Sequence, residues 1–195
     1  MDRLIDSSLK EYLVGVGEKI PAPGGGSVTA AVLCCGVSLY KKCLLYSFNN
    51  FEKEDLKNIE LFLNQATEKT LALIDRDREV YLRLNDLIKD KSANRDEMQK
   101  AYCEAASVPL DMIRVAVAAL DLINRSASKI KKTFVSDLIA AVSFLEAAFN
   151  SALIFVEINL KSIDMSLKEF SGFDEKEIAR AREDFKRIRM EIENE

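Results

Sequence analysis

The chain has very little with which to turn. Its 195 residues include 7 glycines and 3 prolines, and most of them crowd into Gly15, Gly17, Pro21, Pro23 and the triplet Gly24-Gly25-Gly26. Sandwiches and barrels need tight reversals every ~8–12 residues, which this chain cannot supply. Long helices joined by few turns are therefore expected, and hydrophobic periodicity agrees.

About six helices can be read. The first spans roughly Asp2 to Val14, with Leu4, Ile5, Leu9 and Leu13 on one face. A second, Val28 to Phe48, follows the glycine turn with Ser27 as candidate N-cap. It is thin and apolar nearly all round, with Ala30, Ala31, Cys34, Cys35, Gly36 and Ser38. That suits a core helix closely approached by neighbours, an oligomer interface or a ligand wall. The third runs from about Glu52 to Lys89, its seam Ile59, Leu63, Ala66, Thr70, Ile74, Asp77, Tyr81, Leu84 and Ile88 stepping by three and four. The fourth, about Asn94 to Ser128, opens on the capping-box pair Asn94 and Glu97 and contains Pro109, which predicts a kink or break. The fifth, about Thr133 to Phe170, carries a long seam with one polar member, Asn159. The last starts at Asp174, where Asp174 with Glu177 makes a second box and Phe173 with Ile178 a hydrophobic staple. Without repeats or a long linker, residues 1–195 read as a single all-α domain, an antiparallel helical bundle.

Composition narrows the function. Hydrophobic and charged fractions of 48% and 31% belong to a folded globular chain. A formal charge of -4 argues against a nucleic-acid binder, because phosphate neutralisation needs a basic surface. The start Met1-Asp2-Arg3-Leu4-Ile5-Asp6 has no apolar leader core, and the run Val28 to Leu39 is too short for a bilayer, so no membrane and a cytoplasmic location are expected. Cys34, Cys35, Cys43 and Cys103 form no CxxC pair and histidine is absent, so no metal site is expected and the cysteines read as reduced core residues.

Candidate chemistry sits in four places. Pro21-Ala22-Pro23-Gly24-Gly25-Gly26-Ser27 lets another group approach the backbone just where a helix exposes free N–H groups and the positive end of its dipole. A tight interhelical turn is the plainer reading. Asp77 interrupts an apolar seam, where loss of water raises a carboxyl pKa toward neutrality and fits it for proton transfer; an ion pair to a neighbouring helix is the alternative. Asp75 points to another face, with Leu71 and Leu82. Asn159 orients a ligand or cross-links two helices. Asp137, in a helix first turn, is stabilised by the dipole in any case. Lys129, Lys131 and Lys132 are a small basic cluster, either solvated or reaching for an anionic tail.

Several of these segments occur together elsewhere. Pro21 to Val28 ahead of an Ala-rich helix, Ile74-Asp75-Arg76-Asp77-Arg78-Glu79-Val80-Tyr81, Ala106-Ser107-Val108-Pro109-Leu110, Ser136-Asp137 and Ile158-Asn159-Leu160 resemble, in order, motifs of the cyclodeaminase/cyclohydrolase family over roughly Ser7 to Phe170. The resemblance implies a helical homodimer that binds a tetrahydrofolate derivative in a cleft beside the glycine turn, without a metal. Asp77 would be the general acid/base, and Pro23, Gly24, Gly25, Gly26, Ser27, Asp75, Asp137 and Asn159 would contact substrate. The activity implied is formiminotetrahydrofolate cyclodeaminase or methenyltetrahydrofolate cyclohydrolase, with room for a separate formiminotransferase. Ile130-Lys131 and Ile88-Lys89-Asp90-Lys91 depart from the family pattern. They motivate the alternative of a non-catalytic helical dimer holding a folate-like ligand or a protein partner.

Overall fold

The computed structural model describes residues 3–90, 92–164 and 175–194. Among them are six α-helices and no strand: α1 Leu9–Gly17, α2 Gly25–Tyr46, α3 Lys53–Lys89, α4 Arg95–Ser126, α5 Val135–Lys161 and α6 Glu175–Glu193. The helices α2 to α5 form an up-down-up-down bundle, and cross-helix pairs fix its register. Lys41 meets Asn64 while Gly26 meets Asp77, so α2 and α3 are antiparallel. Lys69 with Asp111 and Arg83 with Glu104 do the same for α3 and α4. Asn159 with Ala105 orients α5 against α4, and Gly36 with Leu145 orients α2 against α5. On the outside α6 lies against α5 and α4, stacking Phe185 on Phe149 at 5.3 Å and pairing Arg189 with Glu146 at 2.9 Å.

The middle stretches of the seams read from sequence face inward. Leu63, Ala66, Thr70, Ile74 and Leu84 of α3 are buried, as are Leu138, Ala141, Leu145, Ala148, Ala152 and Val156 of α5. Close packing of α2 on α5 depends on Gly36, where a Cβ would lie 3.0 Å from Leu145 and 3.2 Å from the Ala141 carbonyl oxygen. A buried Tyr40 hydroxyl is satisfied by Ser126 at 2.7 Å, as burial of a polar group requires.

Several expectations change. The first helix is split: Leu4–Asp6 is a short 3₁₀ turn, and α1 restarts at Leu9 because Ser8 and Glu11 form a capping box. The side chains of Leu9 and Leu13 consequently face solvent, at 73% and 58% exposure, while Tyr12 turns inward. Ser27 is not an N-cap. The glycines let α2 begin earlier, with Gly24 as cap and Ser27 in the first turn. The run through Pro109 is unbroken helix, since a proline removes one N–H and long flanking turns packed on both sides hold the rest. The fifth helix stops at Lys161 rather than near Phe170; Leu167, Phe170, Phe173 and Asp174, with the second capping box and the staple, lie outside the described residues. All four cysteines are free, but only Cys43 is a core residue and Cys35 is exposed. As folded, α2 has 22 residues, and it and Lys132–Lys161 are long and apolar enough to cross a bilayer by length and composition. Here their inner faces build the core of the bundle.

Candidate active site

The decisive local feature is that α2 starts well short of the ends of its neighbours α3 and α5. From Asp77 to Lys89, α3 continues about 18 Å beyond the first turn of α2, and α5 continues about 9 Å from Phe155 to Lys161. The seam of α3 therefore outlives its partner helix. Asp77, Tyr81 and Ile88 share one face by the three-and-four spacing, yet Tyr81 and Ile88 are 47% and 57% exposed. Ile158 is likewise 53% exposed, one turn beyond the level of Gly25. The step left where α3 and α5 overhang the start of α2 forms a notch with Asp77 and the first turn of α2 at its base, and Tyr81, Ile88 and Ile158 stand exposed beyond it.

Asp77 sits directly on that N-terminus. A Cβ on Gly26 would overlap Oδ1 and lie 2.5 Å from Cγ and 2.8 Å from Oδ2, so only glycine admits the carboxylate here. The Ser27 backbone N–H lies on the same side and favours the charged form of the carboxyl. This is the anion seat that a helix start provides, occupied by the protein's own acid. Burial pushes the Asp77 carboxyl up from 3.8 to about 6, with the Ser27 N–H opposing the shift. No ion pair to Asp77 is found among the described residues, and the salt-bridge reading of this residue gives way to the helix-terminus one. A group poised near 6 is populated in both protonation states close to neutral pH, as a general acid/base requires.

The neighbouring glycine is also constrained. A Cβ on Gly25 would come 2.7 Å from the Phe155 ring, so α5 closes on the turn from the other side. Pro23 is buried, its ring against Gly15 of α1. Tyr12 of α1, absent from the sequence candidates, bonds Ser27 hydroxyl to hydroxyl at 2.9 Å. Its pKa is raised by burial and by the negative charge of Asp77, which places it in the same electrostatic neighbourhood. Its only sequence signal was its place on a short helix leading into the glycine turn.

The remaining candidates divide. Asn159, one turn beyond Phe155, donates through Nδ2 to the Ala105 carbonyl oxygen at 3.1 Å, bracing α5 on α4 at the level of the notch. Asp75 is buried on another face of α3, where it accepts from the Leu4 N–H and from Arg3 Nε at 3.3 Å. It anchors the N-terminal segment. Asp137 accepts from Lys42 Nζ at 2.9 Å, and 18 residues of α5 separate it from Phe155, about 27 Å along the helix. Within one chain it belongs to the far end of the bundle. Lys129 is there too, 3.8 Å from Asp55 and over the Phe51 ring, and the Lys131 N–H caps Ser47 Oγ at 2.9 Å. Among the described residues, no group of three acidic, Cys or His side chains could hold a metal ion.

Fold and site together define a class: a four-helix bundle that seats a half-buried carboxylate on a glycine-opened helix start. Residues 8–171 match the family described as formiminotransferase-cyclodeaminase. The chain is 28% identical over 171 residues to the formimidoyltransferase-cyclodeaminase of Mus musculus, covering 82% of this chain and 32% of that protein. It is 26% identical over 187 residues to the methenyltetrahydrofolate cyclohydrolase of Methylorubrum extorquens, covering 86% and 88%. The crystal structure of formiminotetrahydrofolate cyclodeaminase from Thermotoga maritima superposes with a TM-score of 0.81 at 26% identity, covering 97% of this chain and 95% of that one. The chain belongs to the formiminotransferase-cyclodeaminase family. It spans about a third of the length of the formimidoyltransferase-cyclodeaminases it matches and most of the length of the cyclohydrolase.

Proposed function

We propose that this chain is a folate-dependent one-carbon enzyme, a formiminotetrahydrofolate cyclodeaminase or a methenyltetrahydrofolate cyclohydrolase, with Asp77 as its general acid/base. The observation that carries the reading is the Asp77 carboxyl, raised to about 6 and seated against the glycine-opened start of α2. In the cyclodeaminase reaction N10 attacks the formimino carbon and ammonia leaves. The formimino nitrogen enters protonated, as a formamidine does at neutral pH, so one proton taken from N10 and one given to the resulting NH2 release ammonia and leave the methenyl cation. A single carboxyl near 6 can do both in turn, taking the first as carboxylate and returning it as acid. In the cyclohydrolase reaction the same group takes a proton from the water that adds to the methenyl carbon. The unpaired first-turn amides of α2 favour negative charge at the base of the notch. Gly24 and Gly25 are the accessible part of the turn that substrate would meet, with Pro23, Gly26 and Ser27 buried beneath them and Asn159 bracing α5 nearby.

The test is direct. Purified protein is given 5-formiminotetrahydrofolate and, separately, 5,10-methenyltetrahydrofolate, and the methenyl absorbance is followed. Asp77→Asn should lower turnover by ~10²–10⁴-fold, the range of one acid/base group. Wild-type protein inert toward both substrates, or an Asp77→Asn variant at full rate, refutes the proposal.

The reading includes a homodimer and a cytoplasmic setting. Four unpaired thiols support a reducing compartment. The exposed large apolar side chains of α2 and α5, Tyr46, Phe144, Ile154 and Ile158, support a second copy. Sedimentation should give a dimer that Ile154→Lys splits, and a wild-type monomer at micromolar concentration would exclude it. The long relatives carry a formimidoyltransferase in their name, which supports a transferase as the supplier of substrate.

A further inference from the structure

The first turn of α2 has no means of holding itself still. Its cap, Gly24, has no side chain to bond an N–H, and the two residues that follow are also glycine. A carboxylate packed directly against Gly26 of that turn needs the turn fixed from outside. The inner face of α1 provides that fixture. This helix fully buries none of its residues, and Leu9, Leu13 and Val14 look outward. Tyr12 and Gly15 look inward, and both touch the glycine segment: Tyr12 at Ser27, Gly15 at Pro23. Ser27 is completely buried, and the Tyr12 hydroxyl is the partner recorded for its Oγ.

We propose that Tyr12 is a positioning residue for Asp77: its hydroxyl bond to Ser27 pins the first turn of α2 so that the turn, with the Ser27 N–H, stays seated against the carboxylate. This deepens the acid/base reading of Asp77 by naming what sets its proton affinity. Tyr12 stays protonated at neutral pH, because burial and the Asp77 charge both oppose its ionisation, so it acts as a neutral anchor and not as a second base. The surroundings leave few competitors for that control. On α3 itself Arg78 lies 4.0 Å from Asp75 and Tyr81 stands exposed. The influences on Asp77 are burial and the Ser27 N–H, with no charge from α2, α4 or α5 among them.

Tyr12→Phe keeps the ring, and so the burial, and removes only the hydroxyl. With the anchor gone, the Ser27 N–H bond that favours the carboxylate weakens and the Asp77 midpoint rises further, by about half a unit to one unit. The readout is the titration of Asp77 in carboxyl-13C aspartate-labelled protein, assigned by its loss in Asp77→Asn. Tyr12→Phe and Ser27→Ala should give the same upward shift, and the double variant no more than either, because both break one bond. Ser27→Thr, which keeps a hydroxyl, should hold the wild-type midpoint. With substrate, the acid limb of the pH–rate profile should move up by the same amount while KM changes less than about twofold. An unmoved Asp77 midpoint in folded Tyr12→Phe, or shifts that add in the double variant, overturns the proposal. The titration needs no substrate, so inert wild-type protein would sink the enzyme reading and still leave this one tested.

Discussion

Replacing Gly26 by alanine should abolish activity while barely altering stability, and that separation follows from what the new methyl meets. Gly26 is in the first turn of α2, where backbone geometry is helical and alanine is intrinsically favoured over glycine by about 1 kcal/mol. Against this stands the contact with Asp77, in which Cγ and Oδ2 lie 2.5 and 2.8 Å from the added carbon and Oδ1 closer still. Those atoms are the free end of a side chain and can rotate away, so relief requires no movement of helices. The carboxylate leaves the N-terminus of α2, loses the Ser27 N–H and gains water. Its pKa returns from about 6 toward the ordinary carboxylate range. Net stability should change by less than ~1 kcal/mol, from the propensity gain and the lost bond, which thermal unfolding would register as a few degrees at most. Turnover should fall by at least ~10²-fold, as for loss of a positioned acid/base group. The assay pairs the methenyl absorbance with calorimetry on the same preparation. Gly26→Ala at near wild-type rate would mean that the carboxylate need not sit on this helix start to react. Severe unfolding would mean that Asp77 is locked and the notch is structural.

Two further substitutions test the packing and the electrostatics. Gly36→Ala lies in the α2–α5 contact, where the neighbours at 3.0–3.2 Å include a backbone oxygen that cannot step aside. Overpacking of ~1–3 kcal/mol should outweigh the helix-propensity gain, giving a lower melting temperature with KM unchanged for what remains folded; a more stable variant would show that the two helices can part freely. Asp77→Asn should stabilise the protein at pH 8, and the advantage should shrink on acidification. The folded carboxyl titrates near 6 against 3.8 in the unfolded chain, so between those values the native state holds a proton that the unfolded state has lost. Native stability therefore falls as pH rises through that window, by about 1–3 kcal/mol after allowance for partial exposure. Parallel urea-denaturation curves for variant and wild type from pH 4 to 8 would contradict this.

Which parts of the fold could be read from sequence depended on where the information resides. The inward seams of α3 and α5 were legible because burial repeats along them, residue after residue, from Leu63 to Ile74 and from Leu138 to Val156. The Asn94–Glu97 box marked the start of α4 correctly because both halves of a capping box lie within four residues. At the N-terminus the same logic was available in Ser8 and Glu11, but the apolar spacing of Leu4, Ile5, Leu9 and Leu13 outweighed it. Only its first half holds, since Leu4 and Ile5 pack on the core while Leu9 and Leu13 stand exposed. At Pro109 the break does not occur: one missing hydrogen bond is a local penalty of ~3 kcal/mol, and a 32-residue helix clamped between α3 and α5 absorbs it.

The candidate site shows the limit of one-dimensional reasoning more sharply. Asp77 declared itself because a carboxylate in an apolar seam is locally anomalous, and the glycine triplet did so because its entropy loss on folding wants a reason. That the two are one feature is a fact of register, fixed by antiparallel packing of α2 on α3, and no local pattern encodes it. The same register separates what the motifs had grouped. Asp75, two residues from Asp77, faces the N-terminal segment, and Asp137 lies a bundle-length away beside Lys42. Tyr12 was invisible for the complementary reason: a lone tyrosine on a short, mostly exposed helix breaks no rule, and its meaning comes from the buried hydroxyl it meets. The acid's proton affinity is thus set by three elements at once, the burial of α3's seam, the open amides of α2 and the anchor from α1. A change in any one of them should move the Asp77 midpoint without touching the carboxylate itself.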